Sequence, residues 1–140
     1  MGRFALNAAT MLVGGAILAL SACAAPSADS ALVPPPGASA PVVLDTYLRA
    51  LVAGECAIAR AAAAPAFSSE NGDLCGDVEV SAFSVREDAA TPGPDEVVYS
   101  TILTTDGSSD GTIARGETLW FYQLEHRGGE WRVVSGGSGP

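Results

Sequence analysis

From Met11 to Leu20 the chain carries no polar side chain, and this stretch decides how much of the sequence is left to fold. Arg3 gives its N-terminal flank a positive charge, and no acidic residue precedes Asp29. Ser21 and Ala22 close it with small side chains. A charged flank, an apolar segment and a small-residue end are the three parts of a secretory signal, which is cleaved and takes no part in the fold. An uncleaved membrane helix needs about 20 predominantly apolar residues, more than this stretch offers. Cys23 follows directly after the small residues.

Leu20-Ser21-Ala22-Cys23 resembles the lipobox of bacterial lipoprotein signal peptides at every position: a branched apolar residue, two small ones, then cysteine. The resemblance implies a diacylglycerol thioether on the Cys23 sulfur and cleavage just before it. It therefore implies a mature chain anchored in the cell membrane, on its extracytoplasmic face. Each buried methylene adds about 0.8 kcal/mol, so two acyl chains hold a protein far better than one. A secreted protein with an unrelated cysteine at this place is the alternative reading.

Residues 1–22 are thus expected to be signal, and residues 23–40 a tether. The tether holds Pro26, Pro34, Pro35, Pro36 and Gly37 among alanines and serines, with no helical or strand period. Such a segment is part flexible and part polyproline in character. Residues 41–140 remain for one small domain, with enough chain for a modest core. Losing the signal removes Arg3 and no acid, so the formal charge goes from −9 to −10. There is no lysine. Nucleic acid is excluded as a partner, because phosphate contacts need clustered Arg and Lys. Charge does not bring the chain to an anionic membrane either, so the acyl anchor must.

With Cys23 lipidated, Cys56 and Cys75 are left as an even pair. Export implies an oxidising compartment, where disulfides persist. A Cys56–Cys75 bridge is expected. The alternative is a redox or metal site, but neither cysteine sits in a CxxC pair or near a histidine.

Along the domain, Val42–Ala53 has apolar residues at helical spacing (Val43, Leu44, Tyr47, Leu48, Leu51 and Val52). Pro41 suits its first turn, as does Asp45, and Gly54 is its stop. Glu55–Ala64 reads as a second, alanine-rich helix ended by Pro65, and 67–76 as a loop. Strands are expected over Asp77–Val85, Glu96–Thr104, Thr118–Glu125 and Trp131–Val134. Turns fall at Thr91–Pro94 and Arg127–Glu130, and a flexible end begins at Gly136. This order makes an α+β domain: two N-terminal helices packed on a curved four-stranded antiparallel sheet.

The run Tyr47-Leu48-Arg49-Ala50-Leu51-Val52-Ala53-Gly54-Glu55 and the closing Gly129-Glu130-Trp131-Arg132-Val133-Val134 resemble the NTF2-like (cystatin-like, SnoaL-like) superfamily. The resemblance implies a cone with a pocket between helices and sheet. It implies no single activity, since members include isomerases, cyclases and non-catalytic binding or accessory domains. If the chain were a cone-pocket enzyme, Asp45, Tyr47, Tyr99 and Tyr122 would be its acid–base candidates. None of them forms a recognisable catalytic set.

Asp106-Gly-Ser-Ser-Asp-Gly-Thr-Ile-Ala-Arg-Gly-Glu117 has oxygen ligands at the spacing of a calcium loop. Asp106, Ser108 and Asp110 fall at positions 1, 3 and 5, Gly111 at 6 and Glu117 at 12. A strand before the loop, where a calcium hand has a helix, favours the plainer reading of a polar hairpin loop, in which Asp-Gly pairs are common. His126 is the sole histidine and lies at a strand end. It lacks the partner and pocket a general base needs. Trp120, Phe121, Tyr122 and Trp131 suit a core, with neighbours in a strand pointing to opposite faces. No cofactor is expected. These readings converge on an envelope lipoprotein with a non-catalytic domain for a protein partner or a small apolar ligand. A cone-pocket enzyme and a weak calcium module are the alternatives.

Overall fold

The computed structural model describes residues 33–139. The signal at 1–22, Cys23 and the first part of the tether lie outside the described residues. Among the described residues no helix is long and apolar enough to cross a membrane.

Helix α1 is Ala40–Ala53. It starts before Val42 because Pro41 occupies its first turn, where a missing N–H removes no hydrogen bond. Ala40, assigned to the tether from sequence, is already buried. Val43, Leu44, Tyr47, Leu48, Ala50 and Leu51 form the buried stripe, whereas Val52 lies off it and is exposed. The earlier start puts Asp45 beyond the first turn, so its partner is Arg49, one turn on, at 2.6 Å, rather than the helix end. Gly54 ends the helix at φ 72°. Its N–H reaches Leu51 O at 3.1 Å and the Glu55 N–H reaches Ala50 O at 2.9 Å, the paired capture of a Schellman end.

Helix α2 is only Cys56–Ala61, shorter than the alanine run led us to expect. Pro65 disfavours helical geometry at Ala64. The backbone there finds other partners on the last strand: Ala64 N–H bonds Val133 O at 2.8 Å, and Val133 N–H bonds Ala62 O at 3.2 Å. Ala63 thereby makes a one-residue parallel bridge to Val133. A 3-10 turn at Ser69–Asn71 follows. Asn71 locks it by accepting the Ser68 N–H at 2.7 Å and donating to Ala66 O at 3.2 Å.

The rest is an open antiparallel meander of four strands in the order β1-β2-β3-β4. Strands β1 (Val80–Gly93), β2 (Glu96–Thr105), β3 (Gly116–Arg127) and β4 (Glu130–Gly137) each overlap an expected strand, and the last three extend it. The domain is therefore α+β, with two helices and an antiparallel sheet. Strand β1 begins at Val80 rather than Asp77 and runs on to Gly93, because register shifts let it keep pairing with β2. Only Pro94 and Asp95 turn that hairpin. Gly128 and Gly129, both at positive φ, turn the last one.

The chain end corrects the sequence reading. Gly136 and Gly137 are not a loose tail but pair with Tyr122 and Phe121. The reason is close approach. A Cβ on Gly136 would stand 2.8 Å from Trp120 Nε1 and 3.1 Å from Gly72 O. Only glycine lets β4 slide between the indole and the 3-10 turn. The core lies on one sheet face, where Leu44, Tyr47 and Leu48 of α1 meet Leu103, Tyr122 and Leu124. Trp120 and Tyr122 point to that face, and Phe121 to the other, opposite Ser100 and Gly137.

Cys56 and Cys75 form the disulfide, with Cα atoms 5.5 Å apart. It joins the start of α2 to the loop before β1. That loop carries the residues described next.

Candidate ligand cavity

Asp73 is a carboxylate at 4% exposure, inside a domain with a small apolar core. The fold assembles its partners from three places. Tyr47 in α1 donates its hydroxyl to Asp73 Oδ1 at 3.0 Å. The Cys75 N–H donates to the same oxygen at 3.1 Å, so Asp73 closes its own turn as an Asx turn. Arg60 of α2 holds Nε 3.6 Å from Oδ2 and also reaches Cys75 O at 3.5 Å. A buried carboxylate is tolerated only when it is paired and hydrogen-bonded in this way.

Around it lie three rings. Tyr47 meets Phe67 and Tyr122 edge to face, at 5.8 Å and 5.3 Å between centroids. Burial, then Tyr122, then the Asp73 charge push the Tyr47 phenol far above its ordinary value, and burial raises Tyr122 too. Two polar atoms are buried here with no hydrogen-bond partner, Tyr122 Oη and Trp120 Nε1.

The raised phenols fix a pH dependence. Each is more easily ionised in the unfolded chain than in the folded one, so the stability they contribute is complete below about pH 10 and is lost as pH rises above it. Thermal melts should hold level up to that point and then fall steeply, and Tyr47→Phe should flatten the fall. Melting temperature measured across the alkaline range, with phenolate absorbance read alongside, checks this.

One side of Asp73 faces an open-mouthed cavity of about 450 Å³. This is within the usual size of small-molecule sites, about 300–1,000 Å³. Its walls are the 69–78 loop, the β2–β3 loop and the inner face of β3. Asp77 and Asp110 line it beside Asp73, whose own oxygens are taken by Tyr47, Cys75 and Arg60, and Leu74, Val78, Ile113 and Trp120 supply an apolar surface. Ser69, Ser109 and Thr118 add hydroxyls.

The β2–β3 loop holds its shape by side-chain bonds. Ser108 Oγ donates to Asp110 Oδ1 at 2.5 Å, and Thr112 donates to it through N–H at 3.0 Å and through Oγ1 at 2.7 Å. These bonds, Ser108 first, hold the Asp110 carboxyl at about 2, below its usual range. Thr105 Oγ1 ties down the far side by donating to Ala114 O and accepting the Gly107 N–H, both at 3.1 Å.

Of the calcium-spaced residues, Asp110 is thus turned onto Ser108 and Thr112. Asp106 uses its N–H on Glu79 O at 3.1 Å, and Glu117 lies exposed on β3 opposite Thr104. The loop joins two strands. Among the described residues no group of three or more His, Cys, Asp or Glu side chains is placed to hold a metal ion.

Of the acid–base candidates the fold brings together only Tyr47 and Tyr122, edge to face in the core. Asp45 is on the outer side of α1 with Arg49. Tyr47 and Tyr122 are in the core, and Tyr99 is half-buried in β2. None of the four lines the cavity. His126 is at the far end of β3, with Nδ1 3.5 Å from an Asp95 oxygen and its ring 5.2 Å from Trp131.

Sequence reasoning missed Asp73 and Asp77. The available signal for Asp73 was its place two residues before a bridging cysteine, where an Asx turn forms. No protein-family model matches the chain, and comparisons with curated proteins and with solved structures find no match.

Proposed function

We propose that this chain is a lipid-anchored envelope protein. Cys23 carries the acyl anchor, the Pro-rich segment ahead of Ala40 spaces the domain from the membrane, and the domain binds a ligand without transforming it. Support for the anchor comes from the sequence, in the match of Leu20-Ser21-Ala22-Cys23 to a lipobox. Two helices ahead of a four-stranded meander, packed on one of its faces, support an NTF2-like cone.

The observation that carries the binding reading is the cavity of about 450 Å³ beside Asp73, with Leu74, Val78, Ile113 and Trp120 as an apolar surface and Asp77 and Asp110 in its lining. The acids Asp77 and Asp110 in its lining favour a small polar ligand over an apolar one. None of Asp45, Tyr47, Tyr99 and Tyr122 lines that cavity, which favours binding over catalysis there.

Native mass spectrometry of the chain extracted in detergent from its own host tests both parts. The expected species is the chain from Cys23 plus acyl groups, less two hydrogens, with a further small non-covalent mass. The unprocessed chain with free thiols would overturn the anchor, and the absence of any added mass would count against the pocket.

A further inference from the structure

We infer that Pro34–Ala38 is a strap that seats the domain with its β3–β4 hairpin toward the membrane and its cavity toward the aqueous side, so that the cavity takes its ligand from solution and not from the bilayer. This rests on the acyl anchor at Cys23 and on the cavity proposed above.

The strap is built by its own sequence. Pro36 and Gly37 are the central residues of a turn closed by the Ala38 N–H on Pro35 O at 3.0 Å. Gly37 has φ 73°, and a proline followed by a glycine at positive φ is the pattern of a type II turn. The prolines fix their own φ, so ordering this stretch costs little backbone entropy. The turn is seated on the domain. Pro34, Pro35 and Ala38 share a pit with Val43, Trp131 and Arg132, and the gap of about 20 Å³ between them has room for about one water. Ala38 and Trp131 both pack against the main core.

That seat lies at the end of the sheet away from the cavity. Trp131 pairs with His126, which is eight residues along β3 from Thr118 in the cavity wall. At ~3.4 Å per residue the two are about 27 Å apart. Helix α1 runs the same way. It begins by the pit, where Val43 stands, and ends at Ala53, in a groove with Asp77 and Val78, which also line the cavity.

Two effects keep the cavity end off the bilayer. The first is reach. With the strap seated, only residues 24–33 separate Cys23 from the pit. A run of that length spans at most about 35 Å and, as a coil, about 17 Å. Unseating the strap would add residues 34–39 and raise the limit to about 55 Å. The second is charge. Asp77 and Asp110 line the cavity, Asp106 and Glu117 bound the β2–β3 loop, and the one base between those two is Arg115. At the hairpin end Glu125 is paired with Arg127, and Glu130 with Arg132. An anionic leaflet therefore repels the cavity end more strongly once it comes within a Debye length, about 10 Å.

The test uses the absence of lysine, which makes one introduced lysine the sole side-chain amine for a dye. Arg127→Lys places it at the hairpin and Ala114→Lys in the β2–β3 loop, both at exposed positions. Each acylated chain is purified from its host, labelled, and reconstituted in vesicles of phosphatidylcholine and phosphatidylglycerol with an energy-transfer acceptor on the head groups. The wild-type chain, labelled alike, is the blank. Transfer should be several-fold higher from position 127 than from position 114. Gly37→Val cannot hold a positive φ without strain and meets no neighbour, so it should release the strap and bring the two values together. Equal transfer from both positions, or more from position 114, on vesicles that carry the protein would overturn the orientation and leave the anchor standing. A difference unchanged in Gly37→Val would overturn the role of the strap. Chain that does not float with the vesicles would overturn the anchor, and the orientation with it.

Discussion

Replacing Cys56 and Cys75 together by serine should lower the stability of the domain by about 3 kcal/mol, the loop-entropy value for a bridge of this span. For a domain of this size that is a fall in melting temperature of roughly 15–20 °C. Thermal unfolding of wild type, with and without reductant, against the double variant checks it. The reduced wild type should melt with the variant, and equal melting of oxidised and reduced protein would show that the bridge contributes nothing. The expected loss is not only one of global stability. Cys75 stands between Asp73 and Asp77 in the chain, and its N–H is one of the donors to Asp73. The bridge holds the 69–78 loop against α2, so reduction should loosen the cavity wall before the sheet unfolds. Backbone hydrogen exchange in that loop, faster in the reduced protein while β2 and β3 remain protected, is the local signature.

Asp73→Ala should cost about 3 kcal/mol, by a different route. It strands two donors in the core, the Tyr47 hydroxyl and the Cys75 N–H, each at a cost of about 1–3 kcal/mol when buried and unpaired. The Arg60 contact adds little, because that side chain is mostly exposed and screened. Asp73→Asn separates hydrogen bonding from charge. Its amide oxygen can still accept both donors, so it should lose no more than about 1 kcal/mol. Denaturant unfolding of the two variants gives the comparison. Equal losses would mean that charge, not acceptor geometry, is what the site requires. Tyr47→Phe should fall between them, since it removes one donor and leaves the Cys75 N–H still bonded to Asp73.

Parts of this architecture were legible in the sequence because they rest on short-range physics. The α1 stripe follows from apolar spacing, and its end from a glycine that can adopt positive φ. Strand β2 is mostly β-branched and β3 is aromatic at its centre, at Trp120, Phe121 and Tyr122, and the two pair without a register shift. The Cys56–Cys75 bridge followed from parity once Cys23 was set aside. What failed did so where backbone groups from distant parts of the chain compete. The alanines after Ala61 have high helix propensity, yet Ala62–Ala64 leave the helix for hydrogen bonds on Val133, more than sixty residues away. Gly136 and Gly137 look like a loose end until Trp120 and Gly72 close on them.

The cavity belongs wholly to this second kind. Asp73 is unremarkable in the sequence, one acid among sixteen. Its burial depends on Tyr47 arriving from α1 and Arg60 from α2, and Trp120 becomes a cavity floor only because β3 lies beneath the 69–78 loop. By itself the sequence determined the element order, the class of fold and the one possible pairing of the two remaining cysteines, all set by local periodicity and residue chemistry. Only the tertiary structure decided which polar groups would lie buried together and which would be left without a partner, because that depends on contacts whose sequence separation no local pattern records.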